Sequence, residues 1–257
     1  MRVRNYGSSG PLIIVLHGGP GAAGYMAPVA RGLAGSFRVL EPFQRGSGGI
    51  PLTVAVHVED LRELVESRGE DSRPALVGSS WGAMLALAFA AAYPNLAGPI
   101  VLIGCGTFDM AARARMQAIL DERMRVPLRL EIDDPDERLR VTAELLAPLY
   151  SCELSTTDLE MATCDGRAYE ETWADMLRMQ AQGSYPAAFS AIRSPILMLH
   201  GAADPHPGRM ILAGLQKYAP QIEYREWERC GHYPWIERAV SEEFFHVLKD
   251  WLVRNTP

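Results

Sequence analysis

Residues Pro74–Pro94 read PALVGSSWGAMLALAFAAAYP, and the reading of this stretch decides the fold. Pro74-Ala75-Leu76-Val77 is a short apolar run suited to a buried strand. Ala83 to Tyr93 is an Ala/Leu-rich run suited to a buried helix, which Pro94 closes. Between them, Gly78-Ser79-Ser80-Trp81-Gly82 has the form G-x-S-x-G, a nucleophile elbow. A strand that turns at once into a helix forces the residue at the bend into strained backbone angles. Glycines two residues to either side remove the Cβ atoms that would clash there. The bend would lift the Ser80 hydroxyl above a helix N-terminus, where N–H groups and the helix dipole favour developing negative charge. Ser79 also offers a hydroxyl, but it stands at the wrong place in the pattern.

Moving outward, Pro11–Leu16, Phe37–Leu40, Pro99–Gly104 and Pro195–Gly201 are further apolar runs that read as strands covered on both faces. Ile222–Trp227 alternates, as an edge strand does. Tyr25–Leu33, a stretch from Thr53 to about Arg68, and Ala239–Val253 read as helices. In the second of these, Val54, Val58, Leu61 and Val65 form the inner face, with Glu59, Asp60, Glu63 and Glu66 mostly outside it. Strands alternating with helices predict an α/β fold with a mainly parallel sheet flanked by helices. From Thr107 to about Ser190 the rhythm changes to charges, methionines and helix formers. The expected organisation is therefore a core of residues 1–106 and 191–257, with a helical cap, 107–190, inserted between two strands.

A serine hydroxyl needs a base to become a nucleophile, and the base needs an orienting acid. In folds of this type the order along the chain is Ser, then Asp or Glu, then His. Asp204 follows the Pro195–Gly201 strand and His232 follows the Ile222–Trp227 strand, so both fall beyond strand ends in that order. His206 is the only other histidine in such a loop, too near Asp204 to be placed independently; Asp109 is the fallback acid. The tetrahedral intermediate needs two N–H donors for its oxyanion. One is that of Trp81, and the other comes from the His17-Gly18-Gly19-Pro20-Gly21 loop, with Gly19 chosen because Pro20 has no N–H. A phosphate-binding role for this loop would call for G-x-x-x-x-G-K-[ST], which is absent.

Hydrophobic residues make up 48% of the 257, enough for a large core, and the formal net charge of −6 argues against a nucleic-acid partner. No apolar run approaches the ~20 residues of a membrane span, and the N-terminus lacks a signal peptide's apolar core, so a cytoplasmic location is expected. Cys105, Cys152, Cys164 and Cys230 are scattered and show no metal-site spacing. No metal and no cofactor are expected, and the sequence leaves the oligomeric state open.

Three segments resemble the proline iminopeptidase group of serine peptidases within the α/β-hydrolase superfamily. His17–Gly21 is similar to that group's H-G-G-P-G loop, Gln44–Gly48 to its D-Q-R-G-x-G loop, and Gly78–Gly82 to its G-G-S-W-G elbow; Phe43 stands where that group has Asp. The resemblance covers roughly Leu12–Pro94 and Ile196–Trp251. It implies an α/β-hydrolase fold, a Ser80–His232–Asp204 triad and a cap over the site. Those peptidases hold the substrate's terminal ammonium with cap carboxylates, for which Glu170, Glu171 and Asp175 are possible stand-ins. Tyr169, Trp173 and Met176 share a helix face and could wall a pocket or pack on the core, with Met161 and Met179 as further lining. The substrate is expected to be a small molecule or a short peptide. Three readings stay open: a peptidase, an esterase or small-amide hydrolase, and a silent small-molecule binder.

Overall fold

In the computed structural model, which describes residues 1–69, 73–124, 130–156 and 158–256, β1 (Val3–Tyr6), β2 (Leu12–Leu16) and the two-residue β3 (Ala22–Ala23) lead into α1 (Ala27–Leu33) and β4 (Arg38–Pro42). Then come α2 (Val54–Glu66), β5 (Ala75–Ser79), α3 (Trp81–Ala92) and β6 (Ile100–Ile103). The segment before β8 (Ile196–Gly201) holds α4 (Met110–Arg123), α5 (Pro135–Leu146), β7 (Thr163–Cys164) and α6 (Gly166–Ala181). The chain ends with α7 (Gly208–Leu215), β9 (Ile222–Trp227) and α8 (Ser241–Asn255).

Seven strands form one sheet in the order β1-β4-β2-β5-β6-β8-β9. All neighbours run parallel except β1, which pairs antiparallel with β4. This edge strand carries no apolar run in the sequence and owes its conformation to the partner. The central strands read as unbroken apolar runs because both faces are covered. Ile14, Leu16, Leu76, Leu102 and Met198 pack with α2 and α3. Their neighbours Ile13, Val15, Val77, Val101 and Leu199 pack with α1 and α8 on the other side. α3 is buried from Trp81 to Ala90, as its lack of a polar face requires.

The Thr53 side chain caps α2 by accepting from the Val56 N–H. Val54, Val58, Leu61 and Val65 are buried as their spacing predicts. Asp60 departs from expectation: it is buried, because Arg45 reaches in from the loop after β4 and pairs with both its oxygens. Helix α1 begins two residues later than predicted, leaving Tyr25 outside it.

The glycines of the elbow are required by contact. A Cβ on Gly78 would lie 2.2 Å from the Gly82 carbonyl oxygen, and one on Gly82 would lie 2.2 Å from that of Leu16. Both obstacles are backbone that cannot give way. Gly82→Ala is therefore expected to cost about 3 kcal/mol or more, read as a lower urea midpoint. An unchanged midpoint would mean that α3 can slide off β2.

The segment between β6 and β8 is tied to the rest at several points. β7 pairs antiparallel with β3, with Ala22 opposite Cys164. Asp165 accepts from the Ser47 N–H at 2.7 Å. Glu171 and Asp175 of α6 accept from the N–H groups of Leu52 and Val54 at 2.8 and 2.9 Å, which places carboxylates at the N-terminus of α2. Residues 125–129 and 157 of the expected 107–190 insertion lie outside the described residues. No helix among the described residues is long and apolar enough to cross a membrane.

Candidate active site

The loops after β2, β5, β8 and β9 leave the same edge of the sheet, and between them they carry Gly19, Ser80, Asp204 and His232. Ser80 has φ +54° and ψ −116°, a conformation that costs about 1–3 kcal/mol and persists only where the surroundings enforce it. Its N–H donates to the Ile103 carbonyl at 2.8 Å, fixing the bend against β6. Among the described residues, the N–H groups of Gly19 and Trp81 have no internal hydrogen bond. That of Gly18 does: it donates to the Tyr25 hydroxyl at 2.6 Å. Two free donors thus flank the serine, and the third is occupied.

His232 Nδ1 is 2.6 Å from Asp204 Oδ2, and both residues are buried. Burial works to raise the Asp204 pKa, but His232 and His206 outweigh it and hold the carboxyl well below the usual range. Ser80 and His232 line one cavity of about 550 Å³. No direct hydrogen bond joins their side chains, the loose arrangement common before substrate binds. The loop carrying His232 is pinned to the inserted segment. The His232 N–H donates to the Tyr150 carbonyl at 2.7 Å, and the fully buried Glu237 carboxylate accepts from the N–H groups of Gly231, Cys152 and Glu153 at 2.8, 2.7 and 2.6 Å.

A second set of polar contacts supports the Gly19 loop. The Gln44 N–H donates to His17 Nε2 at 3.2 Å, so His17 carries its proton on Nδ1, facing the Gly18 carbonyl at 3.0 Å. The Gln44 side chain donates to the His17 carbonyl and accepts from Trp81 Nε1, at 2.8 and 2.7 Å. His57 of α2 sets its ring edge against Trp81 and contacts Thr172 Oγ1 of α6 at 2.9 Å. Burial lowers the pKa of both His17 and His57 from 6.5 to about 4.

Below pH 6.5 the unfolded chain therefore binds protons that the folded chain refuses until about pH 4. Stability is complete above the unfolded value and falls as the pH drops through this window, by about 1.4 kcal/mol per pH unit for each histidine. Urea midpoints measured across the window should show this slope, and His57→Gln should remove about half of it. A flat profile would mean that the two imidazoles are hydrated.

Of the expected pocket residues, Tyr169, Trp173 and Glu170 line the cavity, and so does Met161. Met176 does not: it is fully buried in the core beside α3. The cavity extends along only the N-terminal part of α6, and beyond Trp173 the same face lies on the body of the protein. Met179 likewise packs against the core. Glu171 and Asp175 are turned to backbone N–H groups, so of the three stand-in carboxylates only Glu170 lines the cavity, where it pairs with Arg138 at 3.2 Å. Asp109 caps α4 instead of meeting an imidazole.

Sequence reasoning missed several contributors. His206 sits on the second oxygen of Asp204, Tyr25 holds Gly18, Gln44 bridges two loops, and Arg113 enters the cavity. Arg113 forms no ion pair among the described residues; its guanidinium donates to Gln180 Oε1, and its Nε is buried without a hydrogen bond. Only the Gln44-Arg45-Gly46 motif and the loop position of His206 gave any hint of these. The others meet their partners only through the fold.

A parallel sheet with a serine at the strand-to-helix bend, and with an imidazole and a carboxylate on later strand ends, defines a hydrolase. The chain belongs to the alpha/beta hydrolase family, whose sequence model matches residues 13–243. The 2-hydroxy-6-oxo-2,4-heptadienoate hydrolase of Pseudomonas putida is 25% identical over 97% of this chain and 91% of its own length. The 2-hydroxy-6-oxononadienedioate/2-hydroxy-6-oxononatrienedioate hydrolase of Paraburkholderia phymatum is 27% identical over 96% of this chain and 88% of its own. Among solved structures, a thermophilic esterase from Thermogutta terrifontis superposes with a TM-score of 0.71 at 21% identity, covering 100% of this chain and 94% of that one. An enol-lactonase from Burkholderia xenovorans gives 0.64 at 20% identity, covering 98% and 96%. The α/β-hydrolase fold expected from the sequence is the fold observed.

Proposed function

We propose that the protein is a serine hydrolase of small carboxylate-bearing molecules, with Ser80 as nucleophile, His232 as general base and Asp204 as the acid that orients it. The observation that carries this reading is the shared cavity, which brings together Ser80, His232, Gly19 and Trp81. Ser80 Oγ attacks a substrate carbonyl while His232 Nε2 takes its proton. The N–H groups of Gly19 and Trp81 receive the oxyanion. His232 then passes the proton to the leaving group, and water resolves the acyl-enzyme by the same steps in reverse order. The segment 107–190 serves as a cap over this cavity.

Two features support a small anionic substrate. Arg113 lines the cavity, forms no ion pair among the described residues and donates to the neutral Gln180, so a substrate carboxylate would give its guanidinium a charged partner. The relatives hydrolyse dienoates by name, and the structural neighbours include an esterase and a lactonase. A proline-iminopeptidase-like activity is the second reading, favoured by the presence of Glu170 in the cavity. It requires Glu170 to exchange Arg138 for a substrate ammonium.

A short-chain aryl ester, a 2-hydroxy-6-oxo-dienoate and a proline arylamide, assayed side by side, separate these readings. Turnover of the ester or the dienoate without the arylamide is expected. Turnover of the arylamide alone would establish the peptidase instead.

A further inference from the structure

Asp204 carries two imidazoles. Its Oδ2 faces His232 Nδ1 at 2.6 Å, while Oδ1 receives both the His206 N–H and His206 Nδ1 at 2.9 Å. The two rings lie nearly parallel, with centroids 4.8 Å apart and 22° between their planes. Tyr150, from the inserted segment, sets its ring against both, at 5.6 Å from His206 and 5.4 Å from His232. An orienting carboxylate needs one imidazole. The second uses the oxygen left over, braces the carboxylate from the opposite side and packs flat on the base.

Resting on the serine-hydrolase reading above, we propose that His206 is a positioning residue for the reaction: it holds the Asp204 carboxylate and the His232 ring in register. The surrounding groups leave the carboxylate to these two rings. His200, on β8 and 3.6 Å from Asp204 Oδ2, is kept neutral by burial. Tyr150 is kept neutral because burial pushes its hydroxyl up. From β9, Glu226 is occupied by Tyr224 and Arg209. From α4, Arg123 is committed to the carbonyls of Leu149 and Ala203. A proton arriving on His206 places a cation against the base and draws the Asp204 charge toward Oδ1. Both effects oppose the imidazolium that His232 must become in the transition state.

The test uses the whole protein, a fluorophosphonate probe of Ser80 and the imidazole ring resonances. In His206→Asn, a side-chain amide can donate near the Nδ1 position but does not titrate. In His206→Phe, the ring stack remains and the side-chain donor is lost, leaving Oδ1 only the backbone N–H. Near neutral pH, labelling of His206→Phe should slow by about tenfold or more while His206→Asn stays within about threefold, because a misplaced base is costly and a braced one is not. The low-field resonance of the His232 proton held by Asp204 should persist in the wild type and in His206→Asn and be lost or broadened in His206→Phe. Wild-type labelling by His206→Phe, or loss of the His232 proton resonance in His206→Asn, would overturn the proposal. The Asn variant keeps the test valid should the Phe variant fail to fold. A folded wild type that takes no label would instead count against the serine-hydrolase reading, while the His232 proton resonance would still judge His206.

Discussion

Ser80→Ala is expected to lower turnover by about 10⁶-fold while leaving the thermal midpoint within a degree or two of the wild type. The rate effect follows from the loss of the hydroxyl placed at the bend beside the two N–H donors that are free among the described residues. Water would then have to attack without the proximity that the covalent route supplies. The small stability effect follows from what Ser80 does structurally. Its hydroxyl makes no hydrogen bond to another protein group, and the positive φ belongs to the backbone, so alanine inherits the same strain. The residual activity should still exceed that of water, because the Gly19 and Trp81 donors remain. Hydrolysis of whichever ester or dienoate the wild type accepts measures the loss, and fluorophosphonate labelling should vanish with it. Retained labelling would move the nucleophile to another residue.

The second large effect is expected for Asp204→Asn, a loss of about 10⁴-fold in kcat. The carboxylate accepts hydrogen bonds from two imidazole Nδ1 positions and from the His206 backbone N–H. An amide can accept at one side only. Turned either way, it presents an N–H to one ring, which must then move its proton to Nε2 or lose the contact. If that ring is His232, the nitrogen facing Ser80 no longer accepts a proton. The substitution also tests stability. Because the Asp204 pKa is depressed in the folded protein, its charge stabilises the fold above the ordinary carboxyl pKa, and that contribution is lost as the pH falls through the depressed value. Asp204→Asn should therefore be less stable than the wild type at neutral pH, with the difference shrinking in strong acid. Urea midpoints at both extremes measure this. A variant that keeps its kcat would show that His232 needs no acidic partner.

The parts of the site legible in the sequence are those whose role is enforced locally. Gly78 and Gly82 are dictated by contacts within one bend and with the adjacent strand. Asp204 and His232 were legible as candidates because they lie in loops that follow strands, and strand ends in a parallel sheet share one edge. The α6 pocket wall was half legible. Helical spacing put Tyr169, Trp173 and Met176 on one face, but spacing carries no information about where a cavity ends and the core begins. The cap acids were misjudged for a related reason. Glu171 and Asp175 lie at helical spacing like any surface acids, yet the start of α2 offers them unpaired N–H groups.

By itself the sequence determined the α/β class, the elbow and the order of the three candidate catalytic residues, because each depends on periodicity or on residues adjacent in the chain. Only the tertiary structure decided that His206 joins His232 on one carboxylate, that Tyr25 withdraws Gly18 and so leaves Gly19 free, and that Arg113 enters the cavity. The physical reason is that hydrogen bonds and ring contacts act over a few ångströms of space. Segments far apart in the chain acquire such proximity only when the sheet brings their loops to one edge.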